Sequence, residues 1–159
     1  MYLIYQMSIL KRIFRKKDNY ITETEKELSI YNEDDLEWFS IKGQIHMAKV
    51  YKCYDGDTVY CIFKLEGRYH RFRIRMLGYD SPEKRPRGDL SDEERIAIKA
   101  LAQKATDKIS ELILDKIVYV YCHDFDNFGR LLAEIKLNPD DDETVNQIML
   151  DGGFGIPYE

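Results

Sequence analysis

Residues 46–79 read HMAKVYKCYDGDTVYCIFKLEGRYHRFRIRMLGY, and the spacing of their apolar residues decides the fold. His46 to Tyr54 and Thr58 to Leu65 are rich in β-branched and aromatic side chains, and Asp55-Gly56-Asp57 between them is a turn signal. Glu66-Gly67 turns the chain again into Tyr69 to Tyr79. There Phe72, Ile74 and Met76 alternate with Arg71, Arg73 and Arg75, a period of two that puts apolar groups on one face and arginines on the other. Three consecutive strands joined by short turns predict an antiparallel meander.

Working outward, Gly78 permits a bend and Ser91, with Glu94 three residues on, forms a capping box. The helix it opens carries Ile96, Ala100, Leu101, Ala105, Ile109 and Leu112-Ile113 as an apolar stripe and should run to about Leu114. Ile117 to Cys122 and Leu131 to Leu137 are two further strands, and Val145 to Asp151 is a short helix ended by Gly152-Gly153. Five strands with a helix after the third predict a mainly β domain with helices (α+β), built as a small closed barrel over residues 44–159.

Residues 1–43 read as an extension. Met1 to Leu10 is mostly apolar and is followed by Lys11, Arg12, Arg15, Lys16 and Lys17, the reverse of a secretory signal. The run is also shorter than the roughly 20 apolar residues that span a bilayer. Leu3, Ile4, Met7, Leu10, Ile13 and Phe14 recur at helical spacing, so residues 1–17 read either as an amphipathic helix on a membrane or partner, or as a helix docked on its own domain or a frayed start. Asp18 to Trp38, with the acidic run Glu33-Asp34-Asp35, reads as a linker or short helix.

The 159 residues suffice for one core, and 44 % hydrophobic with 33 % charged residues is the composition of a globular chain. Cys53, Cys61 and Cys122 are an odd count without finger spacing, which favours small apolar residues in a reducing, intracellular (cytoplasmic) compartment. A net charge of −5 disfavours a nonspecific polyanion binder, so contact with nucleic acid must be local. Arg68, Arg71, Lys84, Arg85 and Arg87 could supply it, or form an ordinary solvated face. A monomer is expected.

Five charges stand in contexts that an ordinary fold does not need: Asp57, Arg75, Asp80, Glu83 and Arg130. Carboxylate oxygens hold divalent cations, and guanidinium forks grip phosphate oxygens and stabilise charge as a phosphodiester is attacked. Asp57 follows a turn glycine, where it either caps the turn or faces a ligand. Pro82 stiffens Asp80-Ser81-Pro82-Glu83, which suits ligands that repel each other. Arg75 either lies on a wet strand face or joins the site, and Arg130 follows Gly129 in a hairpin where the backbone can approach a ligand closely. Together they point to a metal-dependent nuclease.

Asp55-Gly56-Asp57-Thr58-Val59, the run from Arg75 to Glu83, and Phe128-Gly129-Arg130 resemble the thermonuclease (staphylococcal-nuclease-like) family in residue type, order and spacing, and Val145-Asn146 with Gly153 extends the likeness. It covers roughly Met47 to the C-terminus. The resemblance implies a five-stranded oligonucleotide-binding (OB-fold) barrel with helices packed on it. It implies a Ca²⁺ ion held by Asp57, Asp80 and the Ser81 carbonyl, with Glu83 beside the metal-bound water and Arg75 and Arg130 on the phosphate. It further implies cleavage of DNA and RNA, single-stranded or locally opened, to 3′-phosphate products. Phe128 stands where the family often has tyrosine and Asn127 replaces a frequent lysine. Tyr158 would stack on a base, although Ile156-Pro157 alters its spacing after Gly153, and Lys84 and Arg85 would flank the substrate. The other reading is a noncatalytic OB-fold module that binds nucleic acid or protein and is tethered by its N-terminal helix.

Overall fold

The computed structural model describes residue 17 and residues 20–158. Contacts divide the chain into two units, Met1–Phe39 and Ser40–Glu159. In the first, residues 20–28 form helix α1 and Glu33–Asp35 a short 3-10 turn. Residues 1–16, most of the stretch expected as an amphipathic helix, lie outside the described residues. Among the described residues no helix is long and apolar enough to cross a membrane.

In the second unit the meander forms as expected. Strands β1 (Ile45–Cys53), β2 (Thr58–Leu65) and β3 (Arg68–Met76) pair antiparallel in sequence. After β4 (Tyr79–Asp80) and α2 (Asp92–Ile113) come β5 (Ile117–Phe125) and β6 (Leu131–Lys136). β5 pairs with β1, β6 with β5, and β6 runs parallel to β3, so the order β1-β2-β3-β6-β5 closes a five-stranded OB-fold barrel. The closing pair is short, Ile74 to Met76 of β3 against Leu131 to Ala133 of β6.

Alternation supplies the core: Val59, Cys61 and Phe63 from β2 face Val118 and Val120 from β5 and Leu131, Ala133 and Ile135 from β6. Phe63 stacks on Phe72 with ring centroids 3.8 Å apart. Ile41, ahead of β1, joins the same core. The cysteines are free, and burial pushes the thiol of Cys61 up to about 12 and that of Cys122 up to about 11, so both stay protonated as small apolar residues.

Three departures from the expected elements bear on the site. β3 stops at Met76, and Gly78 at φ +92° starts a separate ribbon in which Tyr79–Asp80 pairs with β7 (Ile156–Pro157), a strand too short to show in sequence. Arg75 is buried between Ile74 and Met76, so the predicted wet arginine face fails at the end of β3. The Ser91 capping box is present, but α2 buries Ala102, Ala105, Thr106, Ile109 and Ile113, while Ile96 and Leu101 are exposed. The buried residues of the helix begin at Ala102, so Ile96 and Leu101 in its N-terminal half stay exposed.

Helix α3 (Val145–Asp151), capped by Thr144, fastens this end of the barrel through Asn146. Its side-chain oxygen accepts from Ile135 N–H (3.0 Å) and its amide donates to Leu77 O (2.9 Å) and Ala133 O (3.1 Å). One buried amide thereby ties β6 to the chain leaving β3.

Candidate active site

The β1–β2 turn gives its two aspartates different partners. Asp55 caps the turn, its Oδ1 accepting from the N–H groups of Asp57 (3.2 Å) and Thr58 (2.7 Å). Asp57 is thereby free to point inward. Its Oδ2 accepts from the Ser81 N–H and the Ser81 hydroxyl, both at 2.7 Å. Its Oδ1 accepts from the Thr58 hydroxyl (3.0 Å) and pairs with Arg75 Nη1 (3.0 Å). Gly56 allows the turn to lie this close, because a Cβ there would sit 2.7 Å from the Cβ atoms of both Ala105 and Ser81.

The second segment starts at Arg75, whose guanidinium also binds Asp80 through Nη2 and so bridges two carboxylates. Its side chain is 8 % exposed, as against 56 % for that of Asp80. The β4–β7 ribbon holds Asp80 in place. Gly155 lets the two strands meet, since a Cβ there would lie 2.8 Å from Asp80 O. The ribbon continues to Tyr158, whose N–H donates to Gly78 O (3.2 Å) and whose ring lies 5.2 Å from the Arg75 guanidinium carbon. The structure therefore brings Tyr158 to the arginine. Glu83 is exposed and has no hydrogen-bond or ion-pair partner among the described residues. Lys84 donates to Tyr54 O and sits 5.7 Å from the Tyr54 ring.

Arg130 comes from the β5–β6 loop. Asp126 Oδ1 accepts from the N–H groups of Phe128 (2.9 Å) and Arg130 (2.8 Å), and its Oδ2 accepts from Arg130 Nε (2.7 Å). Gly129 at φ +71° completes the turn. Burial works against ionisation of Asp126, but these bonds from Arg130 and Phe128 prevail and hold its carboxyl below the usual range. Nε is thus occupied, while Nη1 reaches the Thr58 hydroxyl at 3.5 Å. The exposed Phe128 ring lies 5.6 Å from the Arg130 guanidinium carbon.

All five predicted charges line one cleft of about 540 Å³ together with Tyr54, Ser81, Lys84, Arg85 and Arg87. Asp55, read in the sequence only as part of the turn, and Asp126, to which the sequence reading gave no role, hold the segments that carry Asp57 and Arg130. Asp126 carried a usable signal, the i, i+4 spacing to Arg130 across a glycine turn. Tyr79 carried none: its hydroxyl donates to Gly56 O (2.7 Å) and ties the two loops, and burial followed by the nearby Asp57 charge pushes its own ionisation upward.

Among the described residues no three histidine, cysteine or acidic side chains gather as a metal cluster. What converges is two carboxylates on a single positive group, with Ser81 alongside. Hard oxygens in that number fit a calcium-type cation that keeps positions open for water and phosphate, and they do not fit the closed nitrogen and sulfur shell of structural zinc. The donor chemistry therefore suits a hard dication.

No curated protein matches the chain. A family model described as Staphylococcal nuclease homologue matches residues 73–159, which takes in Arg75, Asp80, Glu83 and Arg130 and begins after Asp57. Since that match spans more than half of the chain and runs through the closing strands of the barrel, the chain belongs to the staphylococcal nuclease homologue family.

Proposed function

We propose that the protein is a Ca²⁺-dependent endonuclease that hydrolyses phosphodiester bonds of single-stranded or locally opened DNA and RNA. The observation that carries this reading is the meeting of Asp57, Arg75, Asp80, Glu83 and Arg130, from three distant segments, in one open polar cleft. Asp57, Asp80 and the Ser81 carbonyl would hold the ion, which supplies charge for the attacked phosphate and an acidified water. Glu83, exposed and without a partner among the described residues, is suited to accept a proton from an attacking water and direct it at phosphorus. Arg130 presents its Nη edge to a phosphate, since Nε belongs to Asp126. Arg75 pairs with both carboxylates and would share them with a bound cation, leaving its guanidinium beside the place where a phosphate would lie.

The test is incubation of the protein with single-stranded DNA and RNA in Ca²⁺, Mg²⁺ or chelator, beside Glu83→Gln. Ca²⁺-stimulated cleavage that falls by about 10²-fold or more in the variant is expected, as for loss of a general base. Cleavage no greater than that of the variant would exclude the enzyme. One observation favours a noncatalytic nucleic-acid-binding module instead: Arg75 is already engaged with both carboxylates, a pairing that stabilises the fold without any ligand. Binding without cleavage is the outcome that module predicts.

A further inference from the structure

β1, β2 and β3 lie side by side, and none of them contains an aspartate or glutamate, whereas each carries lysine or arginine. In a chain of net charge −5 this is a segregated positive face. Register aligns it: Lys52 pairs with Tyr60, and Tyr60 with Arg73. Val59 and Cys61 are buried on either side of Tyr60, so Tyr60 belongs to the outer face.

A β-bulge between Val50 and Lys52 adds Tyr51 to that face, its ring centroid 6.0 Å from that of Tyr60. Tyr54 meets Tyr60 edge-on at 6.4 Å. The Lys52 ammonium lies 5.3 Å from the Tyr60 ring and 5.9 Å from the Tyr54 ring. Tyr54, 46 % exposed, also lines the cleft that holds the five charges. Aromatic rings interleaved with cations thus run without a break from the cleft onto the barrel wall.

A tyrosine placed only to fill space would be buried among apolar groups. The Tyr54 and Tyr60 rings lie instead against Lys52, beside strands that carry no acid, with Tyr54 exposed and Tyr51 and Tyr60 half-buried. Each base has a π-face that such a ring can stack on, and the intervening cation suits the backbone phosphate, which together describe single-stranded nucleic acid. A duplex conceals its base faces and would gain from the charge alone.

We propose that Tyr54, Tyr60 and Tyr51, with Lys52, form a stacking track that holds single-stranded nucleic acid for several nucleotides beyond the scissile phosphate. The proposal rests on the nucleic-acid reading of the cleft, but binding can be measured in chelator with nothing cleaved. Fluorescence anisotropy with oligothymidylates of about 3 and 12 nucleotides would compare the full chain with Tyr51→Ala/Tyr60→Ala and with Tyr51→Phe/Tyr60→Phe, variants that leave the cleft residues intact. The longer strand should bind at least about tenfold tighter than the shorter, the alanine variant should lose most of that advantage, and phenylalanine should keep it. Thermal unfolding checks that both variants fold. A 12-nucleotide strand bound equally well by the alanine variant overturns the track, and so does an equal loss on a duplex of that length. Length-dependent binding without Ca²⁺-stimulated cleavage would remove the nuclease reading alone, and cleavage without length dependence would remove the track alone.

Discussion

Arg75 and Arg130 face the same cleft but are held in contrasting ways. Arg75 stands at a strand end inside the barrel wall, buried and bonded to one carboxylate from the β1–β2 turn and one from strand β4. Arg130 stands at the end of a five-residue turn and takes its partner, Asp126, from that same turn. One arginine is woven into the long-range structure, while the other is carried on a self-contained loop. The contrast teaches that a shared place in one cleft need not mean a shared role in folding. Removing the first leaves the buried Asp57 without its charged partner, and removing the second leaves the turn closed by its backbone.

The contrast can be broken most sharply at Arg75. Arg75→Ala strands Asp57 as an uncompensated buried carboxylate, so unfolding in denaturant should show a loss of about 3 kcal/mol along with loss of cleavage. A variant as stable as the parent would show that the pair contributes nothing net. Arg130→Ala should reverse the balance, with kcat falling by about 10²–10³ and stability by only about 1 kcal/mol. Equal stability losses in the two variants would erase the distinction drawn here.

Asp126→Asn sharpens the comparison further, because an amide oxygen can still accept from the Phe128 and Arg130 N–H groups while no longer charge-pairing Nε. The loop should stay closed and kcat drop by about tenfold as Arg130 loses its orientation. An unchanged kcat would show that the loop backbone alone aims the arginine. Since the Asp126 carboxyl lies below its unfolded value, its contribution is present above the unfolded pKa and is lost as pH falls through the lower folded one. The parent should therefore lose part of its stability advantage over Asp126→Asn only in that acidic window.

The smallest effect is expected at the turn on the Arg75 side. Burial first, and the Asp57 charge second, raise the ionisation of Asp55 above its usual range. A raised carboxyl favours the folded state at low pH, and that favour is lost as pH rises through the interval between its unfolded and folded values. Asp55→Asn keeps the two turn bonds through its amide oxygen and removes the repulsion, so it should be slightly more stable than the parent at neutral pH and no better once both carboxyls are protonated. Thermal melts across pH would show it, and a gain independent of pH would contradict the assigned cause.

Local signals made part of this legible. The Asp55-Gly56-Asp57 turn, the strand through Phe72 to Met76 and the Ser91–Glu94 capping box are each decided within a few residues and appear where expected, although the strand's alternation stops at the buried Arg75. The five candidate charges do meet in one cleft. Two aspartates around one glycine were not separable, because capping and inward roles differ only in which carboxylate the closed loop turns toward Ser81. The stripe on α2 was misplaced for a related reason: Ile96 and Leu101 fit a helical period, but only packing decides which turns meet the barrel.

What the sequence by itself determined is therefore the set of elements and the chemistry of the side chains available, since turns, caps and hydrophobic period are local physics. The tertiary structure decided that Arg75 lies inside rather than on a wet face, that β3 and β6 close in parallel, and that a two-residue ribbon delivers Asp80 and Tyr158 to the same arginine. Those outcomes depend on contacts between residues far apart in the chain, whose pairing is chosen by burial and closure of the whole barrel and leaves no periodic mark in any one segment.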